Sequence, residues 1–390
     1  MLLTNVKLLN DSFVQIHIAD GILHAVTEQN RDLANRRDGL EIRFEDAIAF
    51  PGLINSHDHL DFNLFPQYGN KTFKNYTQWA EYIHSEYKDD INAVLKIPEV
   101  LRVQWGLYKN LLCGVTTVVN HGKALTIPDQ LIDVIQPREN LHSIQFEKNW
   151  KLKLNNPFKN NQHYCIHIGE GTDRFSHAEI NQLINWNILN KEIIGIHAVA
   201  MNKKQSARFK AIVWCPDSNH FLLETTANIK ELKQNTSVIF GTDSTLTANW
   251  NIWNHLRLAR STQMATDEEI LDMLTVTAAH IWRTNSGKIK KGKDADLVLA
   301  KAPKDGSSMD AFYQLNPEDI LMVIKNGAIK LFDEELKQQV YNAGIDVLKF
   351  SKIKLYDRIK YVKGNLPHLS DNIKKYYPEA AFPFIPYQPI

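Results

Sequence analysis

An apolar run ends in two histidines one residue apart: Pro51-Gly52-Leu53-Ile54-Asn55-Ser56-His57-Asp58-His59. Side chains alternate faces on a strand, so His57 and His59 point the same way and can share one metal ion. A pair of surface histidines after a buried strand is the plain alternative. Three more such residues close other strand-like runs. His167 follows Tyr164-Cys165-Ile166, His197 follows Ile193-Ile194-Gly195-Ile196, and Asp243 follows Ile239-Phe240-Gly241-Thr242. Strand phase places His167 with Cys165, His197 with Gly195, and Asp243 with Gly241 and Ile239. Four imidazoles and a carboxylate make a site for a borderline divalent ion, Zn²⁺ above all, with Fe²⁺ and Mn²⁺ also suited. A lone buried histidine is usually a satisfied core residue. Five such residues at successive strand ends are hard to obtain that way.

The elements that must position these groups are legible in outline. Residues 1–50 alternate as strands, with Asp20-Gly21 at a hairpin tip and a polar loop over 27–39. They are too few to close a core alone. After His59 an aromatic- and asparagine-rich insertion spans about 61–99, either a lid or substrate wall or a packed ornament. A helix carries Leu101, Trp105, Tyr108 and Leu112 and stops at Gly114. The strand Val115–Val119 leads to His121. Between His121 and His163 the pattern weakens, and Leu141–Phe146 and Trp150–Leu154 read as strands. Beyond it, strands at 163–168, 193–200, 211–215 and 237–240 alternate with helices. Ser176-His177-Ala178-Glu179 and Thr266-Asp267-Glu268-Glu269 have the form of capping boxes. A helix is expected from about Leu222 to Lys233. Strands at 297–299 and 321–324 supply partners for the N-terminal ones. The reading is therefore a composite β domain from 1–50 plus 285–330, an α/β unit over 51–284 with parallel strands and helical crossovers, and a helical appendage over 335–390.

Composition bounds the partners. With 390 residues, 45 basic against 44 acidic side chains and a formal net charge of +1, nothing points to nucleic acid. No apolar run approaches the ~18 residues of a membrane span. The N-terminus lacks the features of a secretory signal, and Cys113, Cys165 and Cys215 are odd in number and far apart. A cytoplasmic protein with a small-molecule substrate is expected, and a homo-oligomer is compatible with everything above.

In this order the motifs resemble the amidohydrolase superfamily of metal-dependent hydrolases. The matches are the stretch from Pro51 to His59, then His167-Ile168-Gly169-Glu170, His197, Pro216-Asp217-Ser218-Asn219, Gly241-Thr242-Asp243, and Gly292-Lys293-Asp294-Ala295-Asp296-Leu297 after the barrel. The resemblance implies a distorted (β/α)8 barrel of the TIM type with a small β-sandwich built from both chain ends. It implies one divalent ion on His57, His59, His167 and Asp243, with His197 on a second ion or on the attacking water. The His-x-x-Glu form resembles the aminohydrolase branch, which includes deaminases and imidazolonepropionase. There Asp243 would take a proton from water, Glu170 would deliver one to a nitrogen of the substrate, and His197 would steady the oxyanion. Asn219, His220 and His121 are candidate substrate contacts, a turn and a cap being the alternative for the first two. The stretch from His121 to His163 must hold about two barrel units in some forty residues, so those units are trimmed. Deamination of a small cyclic substrate leads. A ring-opening cyclic amidase, binuclear in some forms, and a catalytically silent binding protein on the same fold are the rivals.

Overall fold

The computed structural model describes residues 1–28, 41–128, 131–159, 163–301 and 306–387, so most of the expected loop at 27–39 lies outside it. Within it, eight short strands run parallel in two arcs. One arc has the order β1-β2-β3, with β1 Leu53–Asp58, β2 Val115–Asn120 and β3 Asp133–Ile135. The other has the order β8-β7-β6-β5-β4, with β4 Glu139–Ser143, β5 Tyr164–Ile168, β6 Ile193–His197, β7 Ala211–Trp214 and β8 Ser237–Phe240. Strands such as β5 and β6 are buried along their whole length, as strands covered on both faces must be. A buried cluster takes Ile54 from the first arc and Cys165, Ile194, Ile196, Val213 and Ile239 from the second. The arcs thus face one core. The backbone N–H groups of Thr242 and Asp243 donate to the His57 carbonyl at 3.1 and 3.0 Å, tying the end of β8 to the end of β1.

The weak stretch is trimmed as expected. Residues 136–138 alone separate β3 from β4, too few for a helical crossover. Trp150–Leu154, expected as a strand, is a single helical turn and a half. Trp150 and Leu154 are the buried pair, spaced by four as on a helix face. The helix expected from Leu222 to Lys233 is two pieces, Pro216–Leu223 and Ile229–Leu232. The insertion after His59 is mostly helical, with α1 Tyr76–Glu86 and α2 Lys88–Leu95. It leads into α3 Glu99–Leu112, which crosses between β1 and β2.

Strands from both chain ends share one eleven-stranded sheet, joined where Leu297–Lys301 pairs antiparallel with Ala47–Pro51. Its buried face mixes Leu3, Ile16 and Ile42 with Leu297, Leu321 and Phe332. The helical appendage expected over 335–390 is a correction. Phe350–Leu355 and Arg358–Lys363 form a hairpin, Phe384–Pro386 adds to it, and all three extend this sheet. Among the described residues there, Lys337–Asn342 and Leu366–Lys374 are the α-helices. Lysines at 352, 354, 360 and 363 make this stretch read as polar, although Lys352 and Lys354 alternate with the buried Ile353 and Leu355.

One of these lysines is fully buried. Lys360 Nζ donates to the Glu318 and Ile320 carbonyls at 2.6 and 2.7 Å and to Asp333 Oδ2 at 2.7 Å. Removing one partner of a buried pair costs about 3–5 kcal/mol, and Arg358 also holds Asp333, so the lower end applies. Lys360→Met is therefore expected to lower unfolding stability by about 3 kcal/mol in denaturant titration. An unchanged midpoint would contradict this account of the hairpin's anchoring.

Candidate active site

His57, His59, His167, His197 and Asp243 converge at the C-terminal ends of β1, β5, β6 and β8. His57 Nε2 lies 3.3 Å from His167 Nε2 and 3.6 Å from Asp243 Oδ1, and His59 Nε2 lies 3.7 Å from the same oxygen. Two triads have ligand atoms all within 4.8 Å of one another: His57, His59 and His167, and His57, His197 and Asp243. Burial comes first in lowering His59, His167 and His197. It pushes His59 down to about 4 and His197 to about 3, and His167 lies well below the usual range. Neutral imidazoles offer lone pairs. At Asp243 burial raises the carboxyl, but the hydrogen bond and charge of His57, with His59 and His197, hold it well below the ordinary range. The donor set fits a divalent cation.

Simple strand phase does not aim all of these groups. Ile194 and Ile196 face the shared core, whereas Gly195 faces the other way, toward Phe209. His197 enters the site because it and Ala198 adopt left-handed φ of 70° and 54°. Asp243 does the same at φ 60°, and a register shift between Asn55 and Asp58 re-aims His57. Such backbone costs energy and persists only where surroundings hold it. Gly169, at φ 63°, starts the turn that carries Glu170. On its far side Gly171 lies so close to Ser176, Asn75 and the Lys74 carbonyl that a Cβ would meet them at 2.1–2.7 Å. The insertion is stapled here. Tyr76 N–H donates to the Glu170 carbonyl at 3.1 Å, and Thr172 N–H to that of Lys74 at 2.8 Å.

The partners behind the ring determine what each ring can do. His167 Nδ1 donates to the His142 carbonyl at 2.9 Å, which leaves a bare Nε2 for a cation. His197 is set the other way. Trp214 Nε1–H can only donate, and gives to Thr226 Oγ1 at 2.7 Å. The Thr226 hydroxyl donates to Asn219 Oδ1 at 3.2 Å, so Asn219 Nδ2 faces His197 Nδ1 at 2.9 Å and donates to it. The His197 proton is thereby placed on Nε2, 3.6 Å from Glu170 Oε1 and 3.9 Å from Asp243 Oδ2. This geometry makes His197 a donor into the site. Glu170 is buried and its carboxyl lies well above the usual range, through burial first and then the charges of Asp243 and Glu179.

Two residues with no role in the sequence reading hold the site from behind. Asp58, between the two ligands of β1, is wholly buried and ion-paired with Lys109 of α3 at 3.0 Å. It also accepts from Asn63 and Asn110, both at 2.8 Å. Lys109 reaches on to Asn63 Oδ1 at 3.0 Å and the Asp243 carbonyl at 3.4 Å. The clue in the sequence was Lys109-Asn110 inside an apolar helical run. Ser218 and Thr247, at 2.9 and 3.1 Å from Asp243 Oδ2, fix that carboxylate.

The cavity beside these groups is about 100 Å³ and is walled by Phe62, Tyr76, Trp79 and Phe146. The insertion thus forms its wall. The three candidate contacts do not line it among the described residues. Asn219 sits behind His197. His220 lies on the helix Pro216–Leu223 and His121 lies behind the ligands, its ring centroid 4.4 Å from that of His167. Expected capping at 176–179 is also corrected. The helix Arg174–Trp186 starts one turn earlier, with Asp173 as its cap, and this frees Glu179 to accept from Gly169 N–H at 2.7 Å.

Two outcomes follow from these partners. Lys109→Met leaves Asp58 buried and unpaired. It is expected to cost about 3–5 kcal/mol and to weaken metal retention, whereas Lys109→Met with Asp58→Asn regains much of both. Metal content and denaturant unfolding check this, and a stable, metal-replete Lys109→Met protein would contradict it. Burial raises Glu179 to about 7, against the lowering effect of its bonds from Gly169 and Tyr76. A raised folded pKa means that stability is full below the unfolded value near 4.5 and is lost as pH rises through about 7. Glu179→Gln keeps the shape without the ionisation. Its stability relative to wild type should rise by up to about 3 kcal/mol between pH 5 and pH 8 in metal-free protein. A difference independent of pH would refute the assignment.

Comparison with known proteins agrees. Residues 174–330 match the amidohydrolase family. A 5-methylthioadenosine/S-adenosylhomocysteine deaminase of Caldanaerobacter subterraneus subsp. tengcongensis is 23% identical over 366 residues, covering 76% of this chain and 84% of that protein. A zinc-bound adenosine deaminase from Xanthomonas campestris shares the fold with a TM-score of 0.68 at 16% identity, over 88% of this chain and 96% of that one. The Helicobacter pylori aminofutalosine deaminase, in complex with methylthio-coformycin, does so with a TM-score of 0.61 at 15% identity, over 84% and 99%. Ligand constellation, sequence match and fold agree in the likeness they show: over residues 174–330 the chain is similar to the amidohydrolase family, and its fold is that of zinc-bound deaminases.

Proposed function

We propose that the protein is an aminohydrolase that removes an exocyclic amine from a small cyclic amidine, with one Zn²⁺ held by His57, His59, His167 and Asp243. The observation that carries this is Glu170: a carboxyl buried at the cavity three residues past His167, 3.6 Å from His197 Nε2, and pushed by that burial well above the usual range. The deaminase names of the curated relatives support the same reading. In fold terms the two arcs are the two parts of a distorted (β/α)8 barrel, and the terminal sheet is the small sandwich domain beside it.

An ion held by His57, His59, His167 and Asp243 would supply a water whose pKa falls from 15.7 to about 7. Asp243, ionised and fixed by Ser218 and Thr247, takes the proton as the water attacks the amine-bearing carbon. Glu170 gives its proton to the ring nitrogen of the amidine. The carbon becomes tetrahedral, and the His197 Nε2–H stands ready to donate to its oxygen. Asp243 returns its proton to the amine, the C–N bond breaks and ammonia leaves, and the hydroxyl proton passes to Glu170 as the C=O bond forms, which restores the acid. Asn219 acts through His197, by holding its tautomer, and is a positioning residue. Aromatic side chains exclude water around the ring.

Glu170→Gln keeps size and removes the proton. Turnover should fall by on the order of 10²–10⁴ while metal content stays unchanged. Asp243→Asn should be at least as damaging and should lose metal too. Ammonia release from a panel of cyclic amidines, with elemental analysis of each variant, checks both. A Glu170→Gln protein with near wild-type turnover would sink the proton-carrier role, and a ring-opened product without ammonia would favour the cyclic-amidase alternative.

A further inference from the structure

Resting on the deaminase reading, we propose that the substrate is a small, uncharged, flat aminoheterocycle, a free base in place of a nucleoside, with no carboxylate or phosphate. Size comes first. The cavity of about 100 Å³ is well below the ~300 Å³ at the small end of ordinary ligand sites. It suits one compact ring system and leaves little room for a sugar.

The chemistry of the walls comes second. Trp79 spends its only N–H on the Tyr68 carbonyl at 2.7 Å, and the Tyr76 hydroxyl donates to Glu179 Oε2 at 3.3 Å. Both therefore present carbon surface to the cavity. Phe62 stacks on the ligand His59 with centroids 5.6 Å apart and planes 21° apart, so the wall next to the reacting centre is flat. Flat aromatic walls select a planar π-system. Hydrogen-bonding capacity is concentrated on the catalytic side, where an amidine edge would sit.

Charge comes third. Among the described residues lining the cavity there is no lysine or arginine, and its acidic members are Glu170 and Asp243. The nearby Lys109 is committed to Asp58 behind the ligands. With the ion's open position taken by the attacking water and the amine-bearing carbon, an anionic tail would be desolvated against the aromatic wall with no lysine or arginine to receive it, which is strongly unfavourable. A carboxylate-bearing tail, such as that of S-adenosylhomocysteine, has no partner in this wall. The chain would thus differ in substrate from the relatives whose name includes that compound.

The test uses the zinc-loaded full-length protein and matched pairs: adenine with adenosine, cytosine with cytidine, and 5-methylthioadenosine with S-adenosylhomocysteine. Both kcat/KM for ammonia release and calorimetric binding are measured. A base should exceed its nucleoside at least tenfold, and the neutral thioether should exceed its carboxylate-bearing partner at least a hundredfold. The reverse order in either comparison overturns the proposal. Ordered binding without any turnover would leave the proposal standing and remove the deaminase reading instead. No binding of either base overturns the proposal too. Phe146→Arg, at the exposed cavity mouth, supplies the missing cation. It should raise the S-adenosylhomocysteine to 5-methylthioadenosine ratio at least tenfold, and an unchanged ratio counts against charge as the discriminator.

Discussion

The buried ion pair between Asp58 and Lys109 is the constraint on which the rest of the site depends. Asp58 lies between His57 and His59 of the candidate metal site and cannot turn without turning them. Lys109 holds it from α3 and reaches the Asp243 carbonyl at the end of β8. One charge pair therefore couples the first strand, the helix that follows it and the last strand of the parallel set. Burying two charges is costly, and the attraction between them offsets that cost only when the remaining hydrogen bonds are filled. Here Asn55, Asn63 and Asn110 fill them. The network's gain is geometric: it orients ligands, more than it stabilises the fold.

Function in this site comes from identical side chains made different by their surroundings. His167 and His197 are both buried imidazoles at strand ends. A backbone carbonyl leaves the first with a free lone pair, and the Trp214, Thr226 and Asn219 chain leaves the second with a proton to give. The two carboxyl groups diverge in the same way. Asp243 is surrounded by imidazoles and hydroxyls and is held well below the ordinary carboxylate range, whereas Glu170 is pushed well above it by burial first and by neighbouring acids next. Pushing two acids in opposite directions is how one site holds both a base and an acid at neutral pH.

The insertion after His59 closes this chemistry in. Its backbone pairs with the Glu170 turn, and its aromatic rings form the cavity wall. The segment that limits substrate size is thus bonded to the turn that carries the acid, and a change in either is transmitted to the other. The left-handed backbone at His197 and Asp243 is tolerable because the strands beneath are buried along their length.

The sequence by itself determined which side chains meet in the candidate site. His57, His59, His167, Glu170, His197 and Asp243 could be read because metal ligation and proton transfer demand particular side chains, and strand ends are marked by apolar runs that stop. Alternating parallel strands and helices were legible for the same reason. Other features depended on contacts between distant segments. Lys109 reads as a helix-surface lysine until α3 is laid on β1. Lys360 hid the second C-terminal strand, since period-two alternation is obscured when a lysine stem packs inward. Trp150–Leu154 became helical because a short apolar run fits either period and packing selects one. Asn219 was a plausible substrate contact by position and is a support by geometry. Strand phase named the right histidines, yet a register shift and left-handed residues, which no alternation predicts, are what bring His57 and His197 into the site. Only the tertiary structure could decide these, because each depends on which atom lies behind a side chain, and sequence spacing carries no information about that.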